Sequence, residues 1–104
     1  MGITMRLVQQ FDPAHEREFK ELERQFAELA ARRSDYPKGR RMQPIAGAEP
    51  NNTLIWEREF PDLEAAHRAL DFFRGDAEHE ALFIQQSPLL RQVRVEFYQN
   101  LGMP

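Results

Sequence analysis

His79 is the residue with the clearest chemical potential, in the stretch Asp71–Leu82, DFFRGDAEHEAL. On a helix that starts at Asp76, His79, Leu82, Phe83 and Gln86 fall at i, i+3, i+4 and i+7 and share one face. A titratable ring is thereby set toward apolar surface. An imidazole that titrates near neutral pH suits general-base work. The same placement also suits a half-buried ring hydrogen-bonded to backbone or carboxylate. Glu78 and Glu80 flank His79 in sequence but project elsewhere on a helix, so they form no acid/base pair with it. His67 lies on the flank of another apolar stripe, near Leu63 and Leu70, and reads as a boundary residue. His15 reads as exposed. No two histidines have metal-ligand spacing, so no protein metal site is expected.

Trp56, the single tryptophan, sits mid-strand, as a core anchor or as the wall of a pocket. Arg58, Arg94, Glu96 and Tyr98 are expected on one sheet surface, paired across strands or at an interface. The tripeptide Arg74-Gly75-Asp76 reads as punctuation. The glycine ends one helix in the left-handed conformation, and the aspartate caps the next. The basic run Arg32–Arg41, RRSDYPKGRR, reads as a solvated loop after a helix, with an anionic partner as the alternative. There is no Gly-rich phosphate loop, nucleophile elbow or stacked aromatic surface for RNA.

These residues need elements to hold them. Ile3–Phe11, ITMRLVQQF, is rich in strand formers. Asp12-Pro13 stops it and starts a helix whose stripe is Phe19, Leu22, Phe26 and Leu29, ending near Arg33. Arg41–Ala48 is a weak strand that Pro44 confines to an edge, followed by a turn at Glu49–Asn52. Thr53–Phe60, TLIWEREF, is a strand with Leu54, Trp56, Arg58 and Phe60 on one side and Thr53, Ile55, Glu57 and Glu59 on the other. Strands 41–48 and 53–60 should form a tight antiparallel hairpin. Pro61-Asp62 opens a second helix with stripe Leu63, Ala66, Leu70 and Phe73. Asp76 opens a third piece, which Ser87-Pro88 ends. Arg91–Asn100 alternates strictly, with Val93, Val95 and Phe97 opposite Arg94, Glu96 and Tyr98.

The order is strand, helix, strand, strand, broken helix, strand. It predicts an α+β, ferredoxin-like βαββαβ domain over residues 1–104, with a four-stranded antiparallel sheet and helices on one face. The other face should leave apolar groups bare, and the economical cover is a second copy packed sheet to sheet. The chain has 104 residues, 41% apolar and 30% charged, with net charge −3 and no cysteine. That composition is globular, excludes a disulfide framework, and carries no general field for nucleic acid. The first residues, MGITMRLVQQ, lack the apolar run of a signal peptide, and no stretch approaches a membrane span. The expectation is a cytoplasmic protein without nucleic-acid or membrane partners.

WEREFPDLEAAHRAL, GDAEHEALFIQQSPLL and RVEFYQNL together resemble the dimeric α+β barrel superfamily, most of all its NIPSNAP-like and antibiotic-biosynthesis-monooxygenase-like branches. The resemblance covers the element order of nearly the whole chain, but its motifs only about residues 53–101. It implies a homodimeric barrel that binds a small apolar or aromatic molecule between sheet and helices, with Trp56, His67, Phe83 and Tyr98 as ligand-binding residues. Its catalytic version is a cofactor-independent monooxygenase or isomerase acting on an aromatic or polyketide-like substrate, with His79 as general base; no cofactor is expected. Haem-degrading relatives in the superfamily use an Asn, a Trp and a His. Trp56 lies on the comparable strand, and His79 lies roughly on the comparable helix but about a turn out of place. The Asn on the first strand is missing, with only Gln9 and Gln10 near its place, which disfavours haem.

Overall fold

A computed structural model describes residues 2–103; Met1 and Pro104, the ends of the expected domain, lie outside the described residues. Strand β1 (Ile3–Phe11) is followed by a 3-10 turn (Pro13–His15) and helix α1 (Glu16–Arg32). Strands β2 (Arg40–Met42) and β3 (Thr53–Phe60) come next, then helices α2 (Leu63–Gly75) and α3 (Ala77–Gln86). A 3-10 turn (Ser87–Leu89) leads into strand β4 (Leu90–Gln99). The four-stranded sheet has the order β2-β3-β1-β4, and every pairing is antiparallel. The α+β fold expected from the element order is the one observed.

The starts of the helical segments follow their caps. The carboxylates of Asp12, Asp62 and Asp76 accept hydrogen bonds from the amides of Ala14, Ala65 and His79, satisfying donors that have no helical acceptor. The break between α2 and α3 has a different cause from the expected one. Gly75 belongs to α2, and positive φ angles among the described residues occur only at Gly47 and Gly102. The helix ends because Asp76 turns extended (φ −90°, ψ 122°) and spends its side chain on capping the next helix.

The register decides which side of β3 meets the helices. Leu7 pairs with Trp56 and Val95, and Met5 with Arg58 and Phe97. Met5, Trp56 and Phe60 join Leu29, Ala66, Ala69 and Phe73 in one buried cluster, so this parity faces the helices. A second cluster unites Phe11, Phe19, Leu22, Leu54 and Leu89, with Phe11 and Phe19 stacked at 4.7 Å. Arg58 therefore does not share a surface with Arg94, Glu96 and Tyr98. Its Cβ lies on the helix side, and its guanidinium rests over the Phe60 ring at 4.8 Å.

The open face is not the bare apolar patch expected of it. Glu57 accepts from Arg6 at 2.7 Å and from Arg40, and Arg94 pairs with Glu49 and Glu96. Burial pushes the Glu57 carboxyl up, but the hydrogen bonds from Arg40 and Arg6 outweigh it and hold the group below the usual carboxylate range. The expected hairpin is also different. β2 is three residues long, and segment 43–52 becomes an ordered crossing instead of a strand and tight turn. Glu49 reaches Arg94 on β4, so the segment passes over β1 on the open face, where Val8 is buried. Pro44, which lacks a ladder donor, accounts for the early end of β2. Bare apolar surface lies elsewhere, on the helix-facing side of β4, where Val93, Val95 and Phe97 remain 49, 44 and 38% exposed.

Candidate functional site

The helices cover β3 and β1 more fully than β4, and the space between the layers opens there as a cavity of about 220 Å³. Its apolar wall comes from Phe26 of α1, Leu7 and Trp56 of the sheet, Leu70 and Phe73 of α2 and Phe83 of α3, with Val93 and Val95 at the β4 side. Its polar lining comes from Gln9, Glu23, Tyr36, Arg41, Arg74, His79 and Gln86. An apolar chamber with a few convergent polar groups has the makeup of a small-molecule site.

His79 is the centre of the polar part. Its ring stacks on Phe73 at 4.8 Å, lies 4.9 Å from Phe26 and runs parallel to Phe83 at 6.4 Å. Its Nδ1 lies 2.6 Å from the Tyr36 hydroxyl. Burial among these rings pulls the His79 pKa below the ordinary histidine value, partly opposed by the charge of Asp76. Burial raises the Tyr36 phenol well above its ordinary range, so the phenol keeps its proton.

This has a measurable consequence. An unfolded chain protonates the histidine near pH 6.5, while the folded protein resists to lower pH. Between those values the unfolded state binds more protons, so stability rises with pH; it falls as pH drops through about 6.5 toward the folded value. The His79→Phe variant is expected to lose this part of the pH slope, read from urea midpoints of both proteins between pH 5 and 8.

A second polar group closes one wall. Glu23 and Gln86 are buried, and Gln86 Nε2 donates to Glu23 Oε1 at 2.8 Å. Arg41 Nε donates to the other oxygen of Glu23 at 2.7 Å. The basic run of the sequence is thereby explained, since its arginines are held by acids of this chain. Arg32 pairs with Glu78, Arg33 with Asp35 and Asp76, Arg40 with Glu57, and Arg41 with Glu23. The Arg33 hydrogen bond holds the Asp76 carboxyl below its usual range, and the pair anchors segment 33–39 against the start of α3. That anchoring carries Tyr36 into the core.

Of the residues singled out in the sequence, Trp56, His79 and Phe83 meet at this cavity. His79, Phe83 and Gln86 share the helix face that the spacing predicted. Tyr98 lies on the opposite face of the sheet, where the Arg6 guanidinium sits 5.1 Å from its ring and its hydroxyl donates to Glu96. His67 is exposed and packs on Phe97 at 5.3 Å, outside the cavity lining. Among the described residues no cluster of three or more His, Asp or Glu side chains is arranged to hold a metal ion. No helix among them is long and apolar enough to cross a membrane.

Tyr36 and Glu23 were not singled out in the sequence, and Gln9 stood there only as a polar group near the place of the missing Asn. Glu23 had a signal: it stands four residues after Phe19 and three before Phe26, on the buried stripe and not on the wet face. Tyr36 had none, since a tyrosine between Asp35 and Pro37 in a charged loop shows no periodicity.

No family model matches the chain, and no curated protein matches it in sequence. Solved structures do match. A NIPSNAP family protein from Agrobacterium tumefaciens superposes with a TM-score of 0.80 at 12% identity, over 99% of this chain and 89% of that one. An uncharacterised NIPSNAP domain protein from Burkholderia xenovorans gives 0.74 at 17% identity, over 100% and 99% of the two chains. SnoaB, a cofactor-independent oxygenase from Streptomyces nogalater, gives 0.63 at 14% identity, over 98% and 95%. The fold is thus the one shared by NIPSNAP and antibiotic-biosynthesis-monooxygenase-like proteins, as the motifs of residues 53–101 suggested.

Proposed function

We propose that this protein is a small homodimeric domain, spanning residues 1–104 and working in the cytoplasm, that binds a small apolar or aromatic molecule between sheet and helices. The observation that carries the reading is the cavity of about 220 Å³ walled by Trp56, Phe26, Phe73 and Phe83, with His79 at its polar part. At about 220 Å³ the chamber lies below the usual size of ligand pockets, which restricts it to a small molecule, and its apolar lining with a few polar groups is that of a ligand site. A second reading is supported by the half-buried imidazole of His79, held beside a protonated phenol. In that reading the protein is a cofactor-independent oxygenase or isomerase, like the oxygenase SnoaB in fold, and His79 takes part in proton transfer to or from an aromatic or polyketide-like substrate.

Self-association is supported by β4, where Val93, Val95 and Phe97 on one side and Tyr98 on the other remain between 38 and 49% exposed. A second copy packed on the open sheet face and wrapping β4 would cover them.

Trp56 is the single tryptophan and stands in the cavity wall, so its emission reports occupancy. Titration with 1-naphthol is expected to change Trp56 fluorescence saturably in the wild type and to have at least tenfold weaker effect in Val95→Phe, which narrows the chamber. Equal responses of the two proteins, or no response in either, would refute the binding reading. Sedimentation at micromolar concentration should give a dimer, and a monomer would refute the assembly.

A further inference from the structure

We infer that Tyr36 locks His79 in the tautomer with its proton on Nε2, so that the site presents a hydrogen-bond donor and selects ligands that carry an oxygen acceptor, such as an aromatic ketone. The inference rests on the binding reading above and names the ligand chemistry of that cavity.

A phenol has one proton to donate, and Tyr36 is 5% exposed. Among the described residues its hydroxyl has one hydrogen-bond partner, His79 Nδ1 at 2.6 Å. If Nδ1 carried the ring proton and donated it, the Tyr36 proton would have no protein acceptor in a buried place, at the cost of an unmade bond. If the phenol donates, both groups are satisfied, and the neutral ring must carry its proton on Nε2. The raised phenol and the lowered imidazole agree with this arrangement, since both keep the pair neutral.

Nε2 is then the free end. It has no hydrogen-bond partner among the described residues, and it is not among the sealed polar atoms, of which Thr53 Oγ1 is the one without a partner. The ring lines the cavity, and the chamber around it is mainly aromatic and aliphatic. With Nδ1 turned to Tyr36, the ring edge left for the ligand carries Nε2–H, which favours a ligand whose carbonyl or phenolic oxygen can accept it and penalises an isosteric hydrocarbon. The resting Nε2–H cannot accept a proton, so the general-base role expected of His79 would first require the ring to release its proton from Nε2 to solvent and take one up at Nδ1, with the Tyr36 hydroxyl turning from donor to acceptor. His79 enters the site as a donor, and Tyr36 acts as the residue that positions its proton.

The test uses the full chain and two probes of matched shape, acetophenone and ethylbenzene. Imidazole nitrogen-15 spectra at pH 8 should show His79 protonated at Nε2 and bare at Nδ1, and Tyr36→Phe should mix the tautomers. Acetophenone should shift the His79 Nε2 resonance and bind about tenfold more tightly than ethylbenzene. The preference should vanish in His79→Phe, which keeps the ring stack. A proton on Nδ1, a tautomer unchanged by Tyr36→Phe, or equal binding of both probes would overturn the inference while leaving a hydrophobic site in place. Binding of neither probe would overturn it together with the reading on which it rests.

Discussion

Trp56→Ala should be among the most damaging single changes in the chain, lowering stability by about 3–5 kcal/mol. The indole is 5% exposed and meets Phe73 edge-on, with ring centroids 5.7 Å apart at 85°. Gly39 lies directly against the same ring, so close that a Cβ there would overlap the indole. Removing the indole therefore leaves a void bounded by β1, α2 and the chain before β2, and the backbone at Gly39 has no side chain with which to fill it. A domain with a total stability of about 5–15 kcal/mol would keep little margin after such a loss. Trp56→Phe retains an aromatic body and should cost roughly half as much. Denaturant unfolding followed by far-ultraviolet circular dichroism measures both variants. A loss below about 1 kcal/mol in the alanine variant would mean that the core does not close over Trp56 as described.

Glu23→Ala should rank next, at about 2–4 kcal/mol, for an electrostatic reason. Its carboxylate receives Arg41 at 2.7 Å and Gln86 at 2.8 Å, and the Gln86 side chain is all but sealed from water at 1% exposure. Deleting the acceptor strands a buried amide and a partly buried guanidinium, and removing one partner of a buried pair costs more than the pair contributes. The figure sits below the full buried-pair value because the Arg41 side chain is 25% exposed and can turn toward water. Replacing Glu23 and Gln86 together by leucine removes donor and acceptor at once and should cost less than the sum of the two single changes. Additive losses in that double-mutant cycle would show that the two side chains act independently.

These two residues also mark how far the sequence could be read. β3, β1 and the helical stripes were legible because burial imposes a period on apolar residues, and Asp12, Asp62 and Asp76 gave the starts of the helical segments through cap chemistry. The parity of β3 was not legible. TLIWEREF places apolar groups on both sides, and only pairing with Met5 and Leu7 brings Trp56 to the helices. The same register puts Tyr98 on the far face and leaves His79, Phe83 and Trp56 together. β2 was overextended because RMQPIAGA, a weak strand by composition, was carried past Pro44, whereas segment 43–52 is held by Glu49 meeting Arg94, far away in sequence. Tyr36 reaches the cavity for a comparable reason. Ion pairs from Arg33 and Arg41 to Asp76 and Glu23 hold its loop, and such long-range pairings leave no local pattern.

The basic run shows why charge alone was ambiguous. RRSDYPKGRR is compatible with an anionic partner until its acids are located, and those acids lie on α1, β3 and α3, at the cap of α3 and in the loop itself. Once paired, the run works as a strap that closes one side of the cavity. The candidate site is therefore made partly of pattern, in His79 and Phe83 on one helix face, and partly of tertiary pairing, in Tyr36, Glu23 and Arg41.

Native mass spectrometry of freshly purified protein reports the assembly and any molecule retained between sheet and helices together. The account predicts a dimer that carries a small non-covalent mass, or takes up one equivalent of acetophenone per protomer, and a marked loss of that mass in Val95→Phe. A wild-type protein that neither retains nor takes up a ligand, or an adduct that survives unchanged in Val95→Phe, would contradict a ligand site between the sheet and the helices.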